Sequence, residues 1–130
     1  MRRTISFCLS ILLLISVLST SAFAVNSDSC TSYRYLTYDV SGSGVKNFIV
    51  NGNTVQFTVS VEGKVSENAG GSLTYSHRSL TYSVTNIPSG YTANAYYLSY
   101  YVSGGNVYAR VRCELTGANN YYGNLIIQLT

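Results

Sequence analysis

From Thr54 to Lys64 the chain alternates strictly: Val55, Phe57, Val59 and Val61 are separated by Thr54, Gln56, Thr58, Ser60, Glu62 and Lys64. The same alternation returns from Val107 to Thr116, where Val107, Ala109, Val111, Cys113 and Leu115 interleave with Tyr108, Arg110, Arg112, Glu114 and Thr116. A two-residue period sends successive side chains to opposite faces, so each segment predicts a strand with one side on a core and the other in water. Shorter strands are predicted over Tyr33–Val40, Val45–Val50, Tyr91–Val102 and Leu125–Leu129, with a longer stretch over Leu73–Thr85.

Turn residues punctuate these runs. Ser41-Gly42-Ser43-Gly44, Asn51-Gly52-Asn53, Asn68-Ala69-Gly70-Gly71, Asn86-Ile87-Pro88-Ser89-Gly90, Ser103-Gly104-Gly105-Asn106 and Gly117-Ala118-Asn119-Asn120 each read as a break between strands. Asn51-Gly52 is the sharpest hairpin signal, because both residues accept the positive φ of a tight turn. No segment after residue 25 carries a capped 3.6-residue apolar period, so no helix is predicted. Six to seven strands without helices predict an all-β fold, an antiparallel β-sandwich of immunoglobulin-like or related Greek-key type.

One stretch complicates this pattern. Ser72-Leu73-Thr74-Tyr75-Ser76 recurs as Ser79-Leu80-Thr81-Tyr82-Ser83, and an odd offset of seven residues puts matching side chains on opposite faces of a regular strand. No Gly, Asn or Asp lies between Tyr75 and Leu80 to make a turn. A single long strand with a bulge at His77-Arg78 is therefore expected rather than a hairpin.

The start of the chain follows a different logic. Met1-Arg2-Arg3 is basic, Ile5–Leu18 is mainly apolar, and Ala22-Phe23-Ala24 has the small-x-small form of a cleavage site. Residues 1–24 are thus expected to be a secretory signal peptide, leaving 25–130 as one secreted, extracellular domain without a stable membrane anchor. Of the 130 residues 46% are hydrophobic and only 10% charged, and the formal charge of +3 falls to +1 once Arg2 and Arg3 are removed. The remaining cations are scattered, so nucleic acid is not an expected partner. Cys30 and Cys113 are then the only two cysteines, and in an oxidising compartment a disulfide between them is expected.

Chemistry-bearing side chains are few. His77 is the single imidazole, no Gly-x-Ser-x-Gly elbow is present, and the carboxylates Asp28, Asp39, Glu62, Glu67 and Glu114 read as solvated surface acids. No metal-ligand spacing appears, Asp39 and Asn119-Asn120 offering at most a weak calcium site. Neither an enzyme nor a cofactor is predicted. Tyr108-Ala109-Arg110-Val111-Arg112 resembles a late strand of fibronectin type III or immunoglobulin-like domains, over those residues alone. The chain has no tryptophan, and Val111 stands where an immunoglobulin domain places a tyrosine.

Tyrosine is the chain's peculiarity. All 13 follow residue 24, and Tyr, Ser, Asn, Gly and Thr together make up 59 of the 106 residues after it. Tyrosines supply stiff, amphipathic contact area, and with small polar residues they form adaptable recognition surfaces. Strict alternation puts Tyr96, Leu98, Tyr100 and Val102 on one face of their strand and Tyr97 and Tyr101 on the other. Tyr96, Tyr100, Tyr108, Arg110 and Arg112 are accordingly the candidate ligand-binding residues of a non-enzymatic binding module, its partner an extracellular glycan or protein. The alternatives are a self-assembling surface protein, using the uncharged segments Thr54–Val61 and Leu125–Thr130, and a secreted toxin or inhibitor.

Overall fold

The computed structural model describes residues 35–130. Residues 1–24, expected to be a signal peptide, lie outside the described residues, as do Asp28, Cys30 and Tyr33. Six strands follow in order: β1 Leu36–Val50, β2 Asn53–Glu67, β3 Leu73–Thr85, β4 Thr92–Ser103, β5 Asn106–Thr116 and β6 Tyr121–Gln128. They form two antiparallel three-stranded sheets, β1-β2-β3 and β4-β5-β6. Every hydrogen-bonded neighbour among them is also a sequence neighbour, so each sheet is a meander. The interleaved strand order of the expected Greek key is not present among these strands.

The two alternating segments are the central strands. On β2, Val55, Phe57, Val59, Val61 and Val65 are fully buried, and on β5 so are Val107, Ala109, Val111, Cys113 and Leu115. Both sheets contribute to one core cluster, with Phe48 and Val50 of β1, Tyr75 of β3 and Ile127 of β6. Each buried aliphatic side chain of this size contributes about 1.5–3 kcal/mol. Asn51-Gly52 makes the expected tight turn with φ of 51° and 80°, and Gly104-Gly105 turns β4 into β5 with φ of 58° and 78°. At the β2–β3 turn the Asn68 side-chain oxygen accepts from the Gly70 and Ser72 amides, at 3.0 and 2.9 Å.

Ser41-Gly42-Ser43-Gly44 does not break the chain. It runs through the middle of β1, where Gly42 pairs with Val61 and Gly44 with Val59, so the two short strands expected on either side are one. The glycines are there for close approach, not for turning. A Cβ on Gly42 would collide with the Gln128 carbonyl oxygen and lie 2.7 Å from Ile127 Cγ2; one on Gly44 would lie 3.2 Å from both Ile127 and Leu125. Farther along, Phe48 of β1 meets Tyr121 of β6, so bulk on one strand faces a small residue or a ring on the other.

β3 is the single bulged strand that the echo predicts. Glu62 pairs with Ser79 and Gly63 with His77, which leaves Arg78 as the extra residue. That one insertion converts the odd seven-residue offset into an even one. Tyr75 and Tyr82 consequently stand opposite the buried Val65 and Val59, both on the core side of the sheet. Gly63 is required at this point, because a Cβ there would strike the Tyr75 ring.

Candidate functional site

A second bulge decides which tyrosines share a surface. On β4, Tyr97 pairs with Val111 and Ser99 with Arg110, leaving Leu98 unpaired. Tyr96 therefore stays on the outward side with Arg112, while Tyr100 stands opposite the buried Ala109 and Tyr101 opposite Tyr108. The expected placement of Tyr100 beside Tyr96 is corrected. Tyr100 packs edge-on against Tyr75 at 5.6 Å, and Tyr101 takes its place on the outward face. The signal was present in the sequence: counting back from a two-residue Gly104-Gly105 turn puts Tyr100 across from inward Ala109.

The outward face of β4-β5-β6 is a grid of four cross-strand rows. They are Asn94, Glu114 and Tyr122; Tyr96, Arg112 and Asn124; Ser99, Arg110 and Ile126; and Tyr101, Tyr108 and Gln128. Four of the five residues expected to bind ligand, Tyr96, Tyr108, Arg110 and Arg112, thus meet on one surface, and the pattern missed Tyr101, Tyr122 and Ile126. Tyr101 and Tyr108 stack with centroids 5.1 Å apart and planes 13° apart, an offset parallel pair. The Arg110 guanidinium carbon lies 5.7 Å from the Tyr101 centroid, and that of Arg112 lies 5.0 Å from Tyr122.

Charge on the grid is unevenly satisfied. Arg112 Nε lies 3.1 Å from Glu114 Oε1, an ion pair whose alignment leaves that nitrogen without a hydrogen bond. The Tyr96 hydroxyl donates to the same carboxylate oxygen at 2.6 Å, and this bond to the neutral phenol raises the Tyr96 pKa. Arg110 has no ion-pair or hydrogen-bond partner among the described residues. Beside it Tyr96 and Ile126 are 41% and 53% exposed, and farther along the face Tyr122 is 50% exposed, so the grid presents ring and alkyl surface to water.

The outward face of β1-β2-β3 has a different composition. Around Ser43, Ser60 and Thr81, which form one cross-strand row, lie Ser41, Thr58, Ser79 and Ser83, and none of its inter-strand positions carries an aromatic ring. At the β3 bulge a groove of about 270 Å³ is lined by Asp39, Val40, Ser41, Glu62, Gly63 and Arg78. Its charges are already engaged: Arg78 reaches Asp39 at 3.4 Å and Ser79 donates to Glu62 at 3.3 Å.

His77 is half-buried on the core side of β3. Its ring stacks on Tyr97 at 4.2 Å with planes 4° apart, and Nδ1 lies 3.4 Å from the Tyr75 hydroxyl, which also donates to the Glu62 carbonyl at 3.1 Å. Burial lowers the His77 pKa; burial, then the nearby Tyr97 hydroxyl, pushes Tyr75 up to about 12. Cys113 is fully buried, and its thiol pKa is raised by burial and drawn back by the Lys46 ammonium; its expected partner Cys30 lies outside the described residues. Of the two uncharged segments expected to drive self-assembly, Thr54–Val61 belongs to β2, which is paired on both sides. Only Leu125–Gln128 lies on an edge strand.

No protein-family model, curated protein or solved structure matches this chain.

Proposed function

We propose that this protein is an exported, non-enzymatic recognition module that binds an extracellular glycan or protein on the outward face of its β4-β5-β6 sheet. One observation carries the reading: Tyr96, Tyr101, Tyr108, Tyr122, Arg110 and Arg112 occupy a single face, whereas the inter-strand positions on the outside of the other sheet carry no ring. Exposed rings and arginines are the side chains that dominate binding energy when a partner desolvates them, and the amides and hydroxyls of Asn124, Gln128 and Ser99 add adaptable hydrogen bonding. The grid is a flat platform rather than a cleft, which suits a ligand laid across it.

We infer that the two sheets stack as a β-sandwich, a view supported by their shared core and by the Phe48–Tyr121 and Tyr75–Tyr97 contacts. The Cys30–Cys113 bridge and cleavage after Ala24 belong to the same proposal.

The test is a binding screen of the secreted protein against immobilised glycans and extracellular proteins, repeated with Tyr108→Ala and Arg110→Ala. Both substitutions should abolish capture of the cognate ligand, with Arg110→Ala leaving the melting temperature nearly unchanged. Undiminished capture by both variants would remove the face from consideration.

A further inference from the structure

The charge bookkeeping of the grid narrows the ligand class, granted that this face is the binding surface. Three charged side chains stand on it, and two of them neutralise each other: Arg112 with Glu114 at 3.1 Å. Glu114 is further occupied by the Tyr96 hydroxyl. Arg110, on the central strand between Ser99 and Ile126, is left as the uncompensated cation of the face among the described residues. Its guanidinium lies near the Tyr101 ring, itself stacked on Tyr108. A guanidinium carries five N–H donors in a fork, and no protein group among the described residues accepts from those of Arg110. Such a fork pairs two parallel N–H groups with the two oxygens of a carboxylate.

The surroundings of Arg110 indicate what carries that carboxylate. Ile126 and the rings of Tyr96, Tyr101 and Tyr108 offer flat apolar contact within one or two strand spacings, about 5–10 Å, and Ser99, Asn124 and Gln128 offer both donors and acceptors at the same range. A sugar ring presents the matching combination of apolar C–H patches and rim hydroxyls. The four rows span about 20 Å along β5, the length of several sugar residues, and a platform that covers only one side of its ligand needs several rings in contact to hold it.

We propose that this face binds an acidic polysaccharide, a sugar polymer bearing carboxylates on its rings, and that Arg110 is the residue that pairs with the carboxylate. The grid has a built-in measure of this chemistry. Removing the Glu114 charge releases Arg112 as a second cation on the same strand, so the face should then bind an acidic polymer more tightly.

The probes are polygalacturonate, the same polymer with its carboxylates methyl-esterified, and polyglutamate, each assayed against the secreted protein by affinity electrophoresis or calorimetry. Polygalacturonate should bind, esterification should weaken binding at least tenfold, and polyglutamate should bind at least tenfold more weakly than polygalacturonate. Arg110→Ala should lose at least tenfold, Arg110→Lys should recover only part of it, and Glu114→Gln should gain a few-fold, a change that a damaged fold would not produce. Equal binding of the esterified polymer, lost on Tyr108→Ala but kept on Arg110→Ala, would sustain the recognition face and overturn the acidic ligand. Equal binding of polyglutamate would show a site that senses charge alone, and absence of binding to polygalacturonate would overturn the inference outright.

Discussion

Replacing Gly42 with alanine separates two opposite accounts of the Ser41–Gly44 run. In the structure Gly42 is a mid-strand residue of β1 pressed against β6. An added Cβ would collide with the Gln128 backbone oxygen and lie 2.7 Å from Ile127 Cγ2 and 3.1 Å from Leu129 Cδ2. A backbone carbonyl cannot rotate away as a side chain can, so β1 and β6 must separate locally, at an overpacking cost of about 1–3 kcal/mol. For a domain of this size each kcal/mol corresponds to about 4–8 °C in melting temperature, so Gly42→Ala should melt about 4–24 °C lower. Gly44→Ala meets only side-chain atoms, at 3.2–3.3 Å, and should cost less. Ser43→Ala, at an exposed position between them, should change little. Were this run a flexible turn, with Gly42 keeping a φ outside the left-handed region, alanine would restrict the unfolded chain and stabilise the protein by about 0.4–1 kcal/mol. The assay is thermal unfolding followed by circular dichroism with a urea titration as a second measure. A Gly42→Ala variant that melts at or above the parent would refute the β1–β6 contact.

Other consequences follow from the same contacts. Tyr100→Ala removes a ring that packs edge-on against Tyr75 while 37% exposed and should cost about 1 kcal/mol with ligand capture kept, whereas Tyr101→Ala should impair capture, read by melting and binding together. Because burial holds the His77 pKa below its ordinary 6.5, the folded state takes up its proton later than the unfolded chain does; stability present above pH 6.5 should fall on acidification, and His77→Gln should flatten that limb of a melting-temperature profile. Tyr75 works in the other direction, since its phenol ionises at about 12 when folded and near 10 when unfolded; stability should decline between pH 10 and 12, and less so in Tyr75→Phe. Thiol titration of the protein without residues 1–24, in denaturant and without reductant, should find no free thiol if Cys30 and Cys113 are bridged, and two free thiols would exclude the bridge.

How far the sequence reached can be judged strand by strand. Thr54–Lys64 and Val107–Thr116 were legible because a two-residue period over four and five apolar positions admits only one face to the core, and both became central strands whose inward apolar side chains are fully buried. Asn51-Gly52 was legible as a hairpin because positive φ is a local property of those residues. The β3 bulge was legible in part: the odd echo of Leu-Thr-Tyr-Ser demanded some correction of phase, and Arg78 supplies it.

What the chain's local pattern could not convey is how strands meet across space. A glycine reads the same whether it turns the backbone or lets another strand approach, and only β6 lying against Gly42 and Gly44 distinguishes the two uses. Strict alternation likewise assigned Tyr100 to the face of Tyr96, because the inserted Leu98 leaves no mark on the strand's own pattern; only the pairing across the Gly104-Gly105 turn, Tyr100 with Ala109 and Tyr101 with Tyr108, reverses the faces at the end of the strand. The abundance of tyrosine was therefore settled by the sequence, while the division between inward-facing and outward-facing rings was settled by register. Side-chain period is local, and a one-residue slip against a neighbouring strand exchanges every face beyond it.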